Sequence, residues 1–167
     1  IEYLKTDTVL EAIILESNEI KKHQPYFNTR DKDNKSYNFV VITDEEFPRV
    51  IIIRERNLDE VSFEIKYQFG PYTQASLLKE ALRIIRKIFP FRDAKAVIPK
   101  YESFYKAIGL SPNTDSPEAR KKYQKTIRNL VLFFEGKKGK LIDVLEKEMD
   151  EYAKNQDFEN AGEIRNT

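Results

Sequence analysis

Apolar and polar positions follow a helical pattern near the start of the chain. The pattern predicts one amphipathic helix from Thr8 to Lys22, because apolar side chains recur there at the spacing of helical turns. Thr8 and Glu11 have the spacing of a capping box, which marks where this helix begins. At about 100° per residue, the predicted buried stripe is formed by side chains that project within about 60° of one direction, namely Val9, Ala12, Ile13 and Ile20.

Glu16 falls in the middle of that apolar stripe. A carboxylate that faces a protein core costs several kcal/mol unless it is paired, protonated or bound to a cation. The residues alone leave two interpretations open: an internal salt bridge to a Lys or Arg of a neighbouring strand, or a metal ligand that lines a cleft. Glu16 is therefore the first candidate functional residue.

Three runs of β-branched and aromatic residues follow and predict a small antiparallel meander. They extend from Tyr37 to Thr43, from Arg49 to Glu55 and from Ser62 to Phe69, with acidic turns between them. The Phe-Gly-Pro-Tyr sequence that starts at Phe69 is predicted to end the sheet. An amphipathic helix is predicted next, from Ala75 to Phe89.

The second half of the chain is predicted to be helical after an irregular connection. The segment from Pro90 to Pro117 contains four of the seven prolines, so we expect an inter-domain linker there. Helices are predicted from Glu118 to Glu135 and from Lys140 to Lys154, and a short third helix follows a turn at 155–157. The last two helices form a hairpin whose apolar seam needs a partner or a second copy. The predicted fold class is α+β.

Composition excludes several kinds of chemistry. The absence of cysteine excludes disulfides, thiolate metal sites and a cysteine nucleophile, and the single histidine, His23, excludes a multi-histidine zinc site within this chain. A metal ion held here would have oxygen ligands, as Mg²⁺ or Mn²⁺ prefers. No apolar run approaches the roughly 20 residues of a membrane span, and the acidic start is not a secretion signal, so we expect a cytoplasmic protein without a membrane partner.

Charge is balanced overall but clustered locally. The chain has 29 Lys plus Arg against 28 Asp plus Glu, so a contact with nucleic acid requires local concentration of basic residues. One such cluster lies within fifteen residues and consists of Lys21, Lys22, Arg30, Lys32 and Lys35. These side chains either form an ordinary solvated surface or contact a phosphate backbone, and the sequence leaves both interpretations open.

Several short segments along the chain carry a resemblance through both their residues and their order. They are LESNEIKKHQPYFN at 15–28, KDNKSY at 32–37, EFPR at 46–49, FGPY at 69–72 and KIFPFR at 87–92, followed by a helical segment from Leu145 to Arg165. In this order they resemble the UvrC family of the bacterial excinuclease. The first segments match the second half of its GIY-YIG nuclease domain, and the last resembles the UVR motif.

The resemblance implies roles for individual residues. The glutamate that matches Glu16 binds the catalytic divalent cation, Mg²⁺ or Mn²⁺, and the asparagine that matches Asn28 belongs to the same active site. The resemblance therefore favours the metal-ligand interpretation of Glu16. The implied function is nucleotide excision repair, by incision of damaged double-stranded DNA on its 3′ side, with the basic cluster beside the DNA backbone.

The resemblance also implies a partner for the hairpin. In the UVR-like interpretation, the hairpin of this chain binds a matching hairpin of UvrB, the helicase subunit that loads onto damaged DNA. The residues implied in that contact are Leu145, Met149, Tyr152, Phe158, Ala161 and Ile164. The alternative is a non-enzymatic adaptor, in which the α/β part is a scaffold and the hairpin recruits a protein partner.

Among the departures of this chain from the family pattern, two bear directly on its chemistry. The tyrosine motifs of the nuclease precede the matched region, so we expect the isolated chain to be unable to cut. Many relatives carry four cysteines, which can hold an iron–sulfur cluster, in the region matching Asp93 to Asp115, and this chain has none. We expect no cluster here, with local packing in its place.

The resemblance divides the chain into three predicted parts. Residues 1–36 correspond to the second half of a GIY-YIG-like domain, and residues 37–116 to an intermediate region with a β-meander, a helix and the irregular linker. Residues 117–167 form a helical region that ends in the UVR-like hairpin at about 140–167.

Overall fold

The computed structural model describes residues 3–24 and 37–166 of the chain. In chain order its elements are α1 (Val9–His23), β1 (Asn38–Thr43), β2 (Val50–Arg54), β3 (Ile65–Tyr72), α2 (Ala75–Ile88), α3 (Pro99–Ala107), α4 (Pro117–Phe134), α5 (Lys138–Lys154) and α6 (Phe158–Arg165). Short 3₁₀ helices at Glu55–Glu60 and Ala94–Val97 complete the list. The small antiparallel sheet and the helices around it confirm the α+β class.

Helix α1 begins where the capping box predicts. The Thr8 hydroxyl accepts a hydrogen bond from the Glu11 amide at 3.1 Å, and the Glu11 carboxylate accepts one from the amide of Asp7 at 3.2 Å. The first bond satisfies an amide that the first helical turn leaves without an intrahelical acceptor, and the second fixes the residue before the N-cap. Sequence therefore determined where this helix starts.

The predicted orientation of α1 is wrong. Its buried residues are Ile14 and Ser17, with Leu10 and Ile13 partly buried against the core, whereas Val9 is 69% exposed. Glu16 is exposed, at the edge of the helix face that the structure shows to be buried. The observed rotation is the favourable one, because it buries large aliphatic side chains and leaves the carboxylate in water.

The sheet has the strand order β2-β1-β3, so the predicted meander is wrong. Val40 of β1 pairs with Ile52 of β2 on one side and with Phe69 of β3 on the other. Strand β1 occupies the centre because Val40, Val41 and Ile42 are completely buried, as a strand covered on both faces requires. The long connection between β2 and β3 provides enough chain to reach the far side of β1.

Strand β3 also runs further than predicted. It continues through Gly70 to Tyr72, with a register shift on the β1 side between Asn38 and Val40. Gly70 has φ +140°, and a Cβ atom there would lie 2.6 Å from Cδ1 of Phe39. Only glycine accommodates both this backbone conformation and this close approach.

The proline-rich connection between α2 and α4 is structured rather than irregular. It contains the 3₁₀ helix Ala94–Val97 and helix α3, which starts at Pro99. Proline is favourable in the first turn of a helix, where its missing N–H removes no intrahelical bond. The prolines of this segment were therefore a poor sign of irregular structure, and α3 was not predicted.

One main hydrophobic core lies between the sheet and helices α1, α2 and α4. It joins Ile14 of α1, Val40 of β1, Leu78 of α2 and Leu130 of α4, and it reaches Leu141 of α5. A smaller cluster around Val41, Ile51 and Ile53 covers the opposite face of the sheet. Within the described residues the packing is continuous across the boundary predicted at 116/117, and it also joins α1 to the sheet.

A helix that spans a bilayer must be both long and strongly apolar. Among the helices within residues 3–24 and 37–166, none meets that requirement.

Candidate functional site

Glu16 lies at the edge of a small cleft between α1 and the turn that joins β3 to α2. The cleft has a volume of about 20 Å³, room for about one water-sized ligand, and its lining includes Glu16, Ser17, Tyr72, Thr73 and Gln74. One carboxylate oxygen of Glu16, Oε1, accepts a hydrogen bond from the Thr73 hydroxyl at 3.3 Å. The fold thus brings Glu16 and Ser17, from one segment that carries the family resemblance, beside Pro71 and Tyr72 from another that is far away in sequence.

The Glu16 carboxylate has no ion pair within the described part of the chain. The internal salt bridge that the sequence left open is therefore not formed with any residue of 3–24 or 37–166. An exposed carboxylate at the edge of a cleft keeps its coordination capacity, because only one of its oxygens is engaged, and by a neutral hydroxyl.

The wall of the cleft behind Glu16 is formed by two buried side chains that are hydrogen-bonded to each other. Ser17 is 3% exposed and its hydroxyl is hydrogen-bonded to the phenol of Tyr72, which is also buried. Burial raises the pKa of Tyr72, and the hydrogen bond from Ser17 opposes that shift only in part. Tyr72 is therefore a protonated structural group at neutral pH, and it fixes α1 against the end of β3.

A second contact holds α1 from its other end. Lys138, at the start of α5, lies 2.6 Å from Glu11 and 3.5 Å from Asp7. The hydrogen bond from Lys138 holds the pKa of the Glu11 carboxyl below its usual range. Because these residues are exposed, the pair positions the helix more than it stabilises the fold.

The oxygen atoms at the cleft suit a hard cation that takes few of its ligands from the protein. Glu16 supplies a carboxylate and Thr73 a hydroxyl, and Mg²⁺ is commonly held by one or two carboxylates together with waters and substrate phosphates. Among residues 3–24 and 37–166, no group of three or more His, Cys, Asp or Glu side chains is arranged to hold a metal ion. A site with three or more His, Cys, Asp or Glu ligands is therefore not available from the described residues.

The predicted DNA-contacting residues divide into two sets. Lys21 and Lys22 are exposed in the last turn of α1, and Lys22 lies 3.8 Å from Glu19. At about 100° per residue they point roughly 140° and 120° away from Glu16, to either side of the helix, so neither shares its face. The predicted active-site residue Asn28 and the basic residues Arg30, Lys32 and Lys35 lie outside the described residues.

The predicted hairpin is present as α5 and α6. The turn at 155–157 places Gln156 at φ +58°, and the Asp157 carboxylate then caps α6 by accepting hydrogen bonds from the amide and the side chain of Asn160. Local sequence therefore specifies both the break and the restart of the helix.

The six predicted docking residues differ in exposure. Ala161 is buried, Phe158 is 71% exposed, and the other four, Leu145, Met149, Tyr152 and Ile164, are half-buried. Leu145 packs against the main core. Of the six, Phe158 is thus the one that is fully presented to solvent.

A buried ionic cluster holds the region that sequence analysis expected to be fixed by local packing. Arg86 of α2 is 7% exposed; it donates to Asp93 at 2.9 Å and to the Leu110 carbonyl at 2.7 Å. Its guanidinium also lies 4.3 Å from the ring centroid of Tyr105. The Tyr101 phenol donates to the same Asp93 oxygen at 2.7 Å.

A second carboxylate, that of Glu102, is hydrogen-bonded beside this cluster. Arg92 and Ser111 both donate to one oxygen of Glu102, at 3.2 and 3.1 Å. The burial of Arg86 was not predicted from the sequence, because a charged residue on an amphipathic helix is normally assigned to the solvent face. The available signal was its position four residues after Leu82, which places it at the edge of the apolar face of α2.

Comparison with known families identifies the hairpin. The model of the UVR family, described as the UvrB/uvrC motif, matches residues 139–167, which contain nearly all of α5 and the whole of α6. No solved structure matches this chain.

Curated relatives match nearly the whole chain. UvrABC system protein C of Trichormus variabilis is 39% identical over 171 aligned residues, covering 99% of this chain and 26% of the relative. UvrABC system protein C of Methanothermobacter thermautotrophicus is 36% identical over 165 residues, covering 99% of this chain and 28% of the relative. The chain thus spans about a quarter of the length of these relatives, and the resemblance seen in its motifs is confirmed.

Proposed function

Because this chain is homologous over nearly all of its length to one part of UvrABC system protein C, we propose that it serves as part of a nucleotide excision repair endonuclease. The observation that carries the proposal is the coincidence of two matches. The alignment covers 99% of the chain, and the UVR match falls on a segment that folds as a helical hairpin. The proposed reaction is metal-dependent incision of damaged duplex DNA on the 3′ side.

In this proposal Glu16 binds a single Mg²⁺ or Mn²⁺ ion, with Asn28 in the same active site. When bound, the cation supplies stabilisation of the charge that develops on a phosphodiester during hydrolysis. The chain's own contribution is to hold the Glu16 carboxylate at the mouth of the cleft. The Thr73 hydrogen bond and the Ser17–Tyr72 contact behind it limit the freedom of that side chain.

The basic residues at and after the end of α1 have a positioning role in the proposal. Lys21, Lys22, Arg30, Lys32 and Lys35 contact DNA phosphates, which fixes the strand without reading its sequence. Binding by such contacts weakens steeply as salt rises, because each neutralised phosphate releases counterions.

The hairpin supplies the proposed contact with a UvrB-like helicase. Phe158 is its most exposed large apolar side chain among the six docking residues, so it is the one available to a partner without rearrangement. An aromatic ring that becomes buried on docking is typical of the residues that dominate interface energetics.

A direct metal-binding experiment tests the role of Glu16 without requiring catalysis. Mn²⁺ titrated into the isotopically labelled chain is expected to broaden amide NMR signals around Glu16 and Thr73 first. Glu16→Ala removes this broadening, whereas Glu19→Ala, which removes a partly exposed carboxylate from the same helix, retains it. Equal broadening in both variants would remove Glu16 as the ligand.

A nicking assay tests the reaction itself. The chain is supplied with the upstream half of the nuclease domain, a UvrB-like helicase and a damaged duplex, and metal-dependent nicking is expected. Glu16→Ala abolishes nicking and Glu19→Ala leaves it within about twofold, since surface substitutions away from a site have small effects. Undiminished nicking by the Glu16 variant contradicts the assignment.

Binding to the UvrB-like helicase tests the hairpin. Phe158→Ala is expected to weaken binding by about tenfold or more, the effect of losing an aromatic anchor. The matched control is Val97→Ala, which removes a similarly exposed apolar side chain outside the hairpin. Equal affinities for the two variants would exclude Phe158 from the interface.

The adaptor alternative has one observation in its favour. The described part of the chain offers the cleft only one carboxylate, that of Glu16. An adaptor binds the partner through the hairpin but shows no site-specific Mn²⁺ broadening at Glu16. The two functions are therefore separated by the metal titration alone.

A further inference from the structure

The hairpin of α5 and α6 lies against α4 with part of its predicted docking face turned inward. Leu145, Tyr152 and Ile164 line a groove of about 770 Å³ that α4 also lines. Phe158 points elsewhere and is 71% exposed. A partner that used all of the predicted docking residues would therefore meet α4 first.

Polar contacts from α4 reach both helices of the hairpin. The Lys125 ammonium lies 3.7 Å from the Glu148 carboxylate and 6.0 Å from the ring centroid of Tyr152, both on α5. The Lys122 ammonium donates to the side-chain carbonyl of Asn160, on α6, at 2.9 Å. These side chains lie one helical turn apart on α4, so a single face of α4 makes both contacts.

Leu141 and Leu145 anchor α5 to the main core, whereas the rest of the contact between α4 and the hairpin leaves a groove open. The groove between α4 and the hairpin is not filled by side chains, so apolar burial there is incomplete. In this ion pair the Lys125 side chain is 40% exposed and the Glu148 side chain 17% exposed, and an ion pair that water reaches from one side contributes little to stability. A competing helix that fills the groove would gain the apolar contacts that α4 leaves unmade.

We propose that α4 acts as a latch, which covers the inward part of the docking face and is released when a partner hairpin binds. The identity of the partner rests on the function proposed above, whereas the closed contact between α4 and the hairpin does not. The apparent affinity for the partner is then the intrinsic affinity multiplied by the fraction of open molecules. Weakening the latch therefore tightens partner binding.

Hydrogen exchange tests the closed contact in the free chain. Lys125→Ala is expected to accelerate amide exchange in α5 and α6 by about two- to fivefold, the effect of losing one partly exposed pair. Lys121→Ala removes the same charge from an exposed position of α4 outside the groove and leaves exchange unchanged. The charge swap Lys125→Glu with Glu148→Lys restores slow exchange, which a general weakening of α4 would not allow. Identical exchange in the Lys125 and Lys121 variants overturns the latch.

A distance measurement tests the release. The chain contains no cysteine, so Gln124→Cys on α4 and Arg165→Cys on α6 provide two unique spin-label sites at exposed positions. Addition of a UvrB-like helicase is expected to lengthen the inter-label distance, and this partner is expected to bind Lys125→Ala about two- to fivefold more tightly than wild type. Binding with an unchanged distance overturns the release. Absence of binding to every variant contradicts the docking function instead, and the exchange comparison then decides the latch by itself.

Discussion

Replacement of Arg86 by alanine should destabilise this protein far more than the loss of an exposed charge on the same helix. The substitution removes the ion pair with Asp93, the hydrogen bond to the Leu110 carbonyl and the contact with the Tyr105 ring. Within the described residues, the Asp93 carboxylate, whose side chain is 25% exposed, then keeps only the hydrogen bonds that the Tyr101 phenol and the Lys95 amide donate to it.

The expected magnitude follows from the burial of the pair. Breaking a buried ion pair by removing one partner costs about 3–5 kcal/mol, because the remaining charge is uncompensated. The partial exposure of Asp93 lets water solvate part of that charge, so we expect the lower end, about 3 kcal/mol. For a chain of this size that lowers Tm by about 6–12 °C.

Urea unfolding followed by circular dichroism measures the effect. The matched control is Arg83→Ala, on the exposed side of the same helix, which should change the free energy of unfolding by less than about 0.5 kcal/mol. Arg86→Lys should recover part of the loss, since lysine keeps the charge but lacks the planar fork that reaches both acceptors.

A double-mutant cycle with Asp93→Asn isolates the pair. The two substitutions should be non-additive by at least about 1 kcal/mol, because each removes the same contact. Additive effects, or a loss in Arg86→Ala no larger than that in Arg83→Ala, would refute the reasoning that this ionic cluster holds α3 against α2.

Three further outcomes are expected. Tyr123→Phe should cost about 1–3 kcal/mol in urea unfolding, because the phenol donates to a buried backbone carbonyl that then lacks its donor. Gly70→Ala should cost about 1–3 kcal/mol, since its φ of +140° and the ring of Phe39 both oppose a Cβ atom. The lowered pKa of Glu11 means that its bond to Lys138 stabilises the fold above the ordinary glutamate pKa and is lost as the pH falls through the lowered value. Glu11→Gln should therefore reduce the acid sensitivity of unfolding between those two pKa values, and an unchanged pH profile would contradict the contribution of this pair.

The sequence by itself determined the local elements of this protein. The capping box at Thr8, the period of apolar residues in α2 and α4, and the helix–turn–helix pattern of the hairpin all depend on residues within a few positions of one another. Hydrogen bonds and side-chain contacts at that range are encoded by spacing alone. The order of the short family segments could likewise be read from the sequence, because each segment is a short run of residues, and the relatives confirm the resemblance.

The tertiary structure decided how those elements face one another. The sequence placed Glu16 on a buried stripe, but packing of α1 on β3 rotated the helix, so that Ile14 and Ser17 face inward and the carboxylate lies at the cleft. The strand order and the burial of Arg86 were likewise set by contacts between distant segments. Helical periodicity offers several nearly equivalent apolar faces, and only the shape and polarity of the opposing surface select among them, because burial of a charge is costly and burial of an aliphatic chain is favourable.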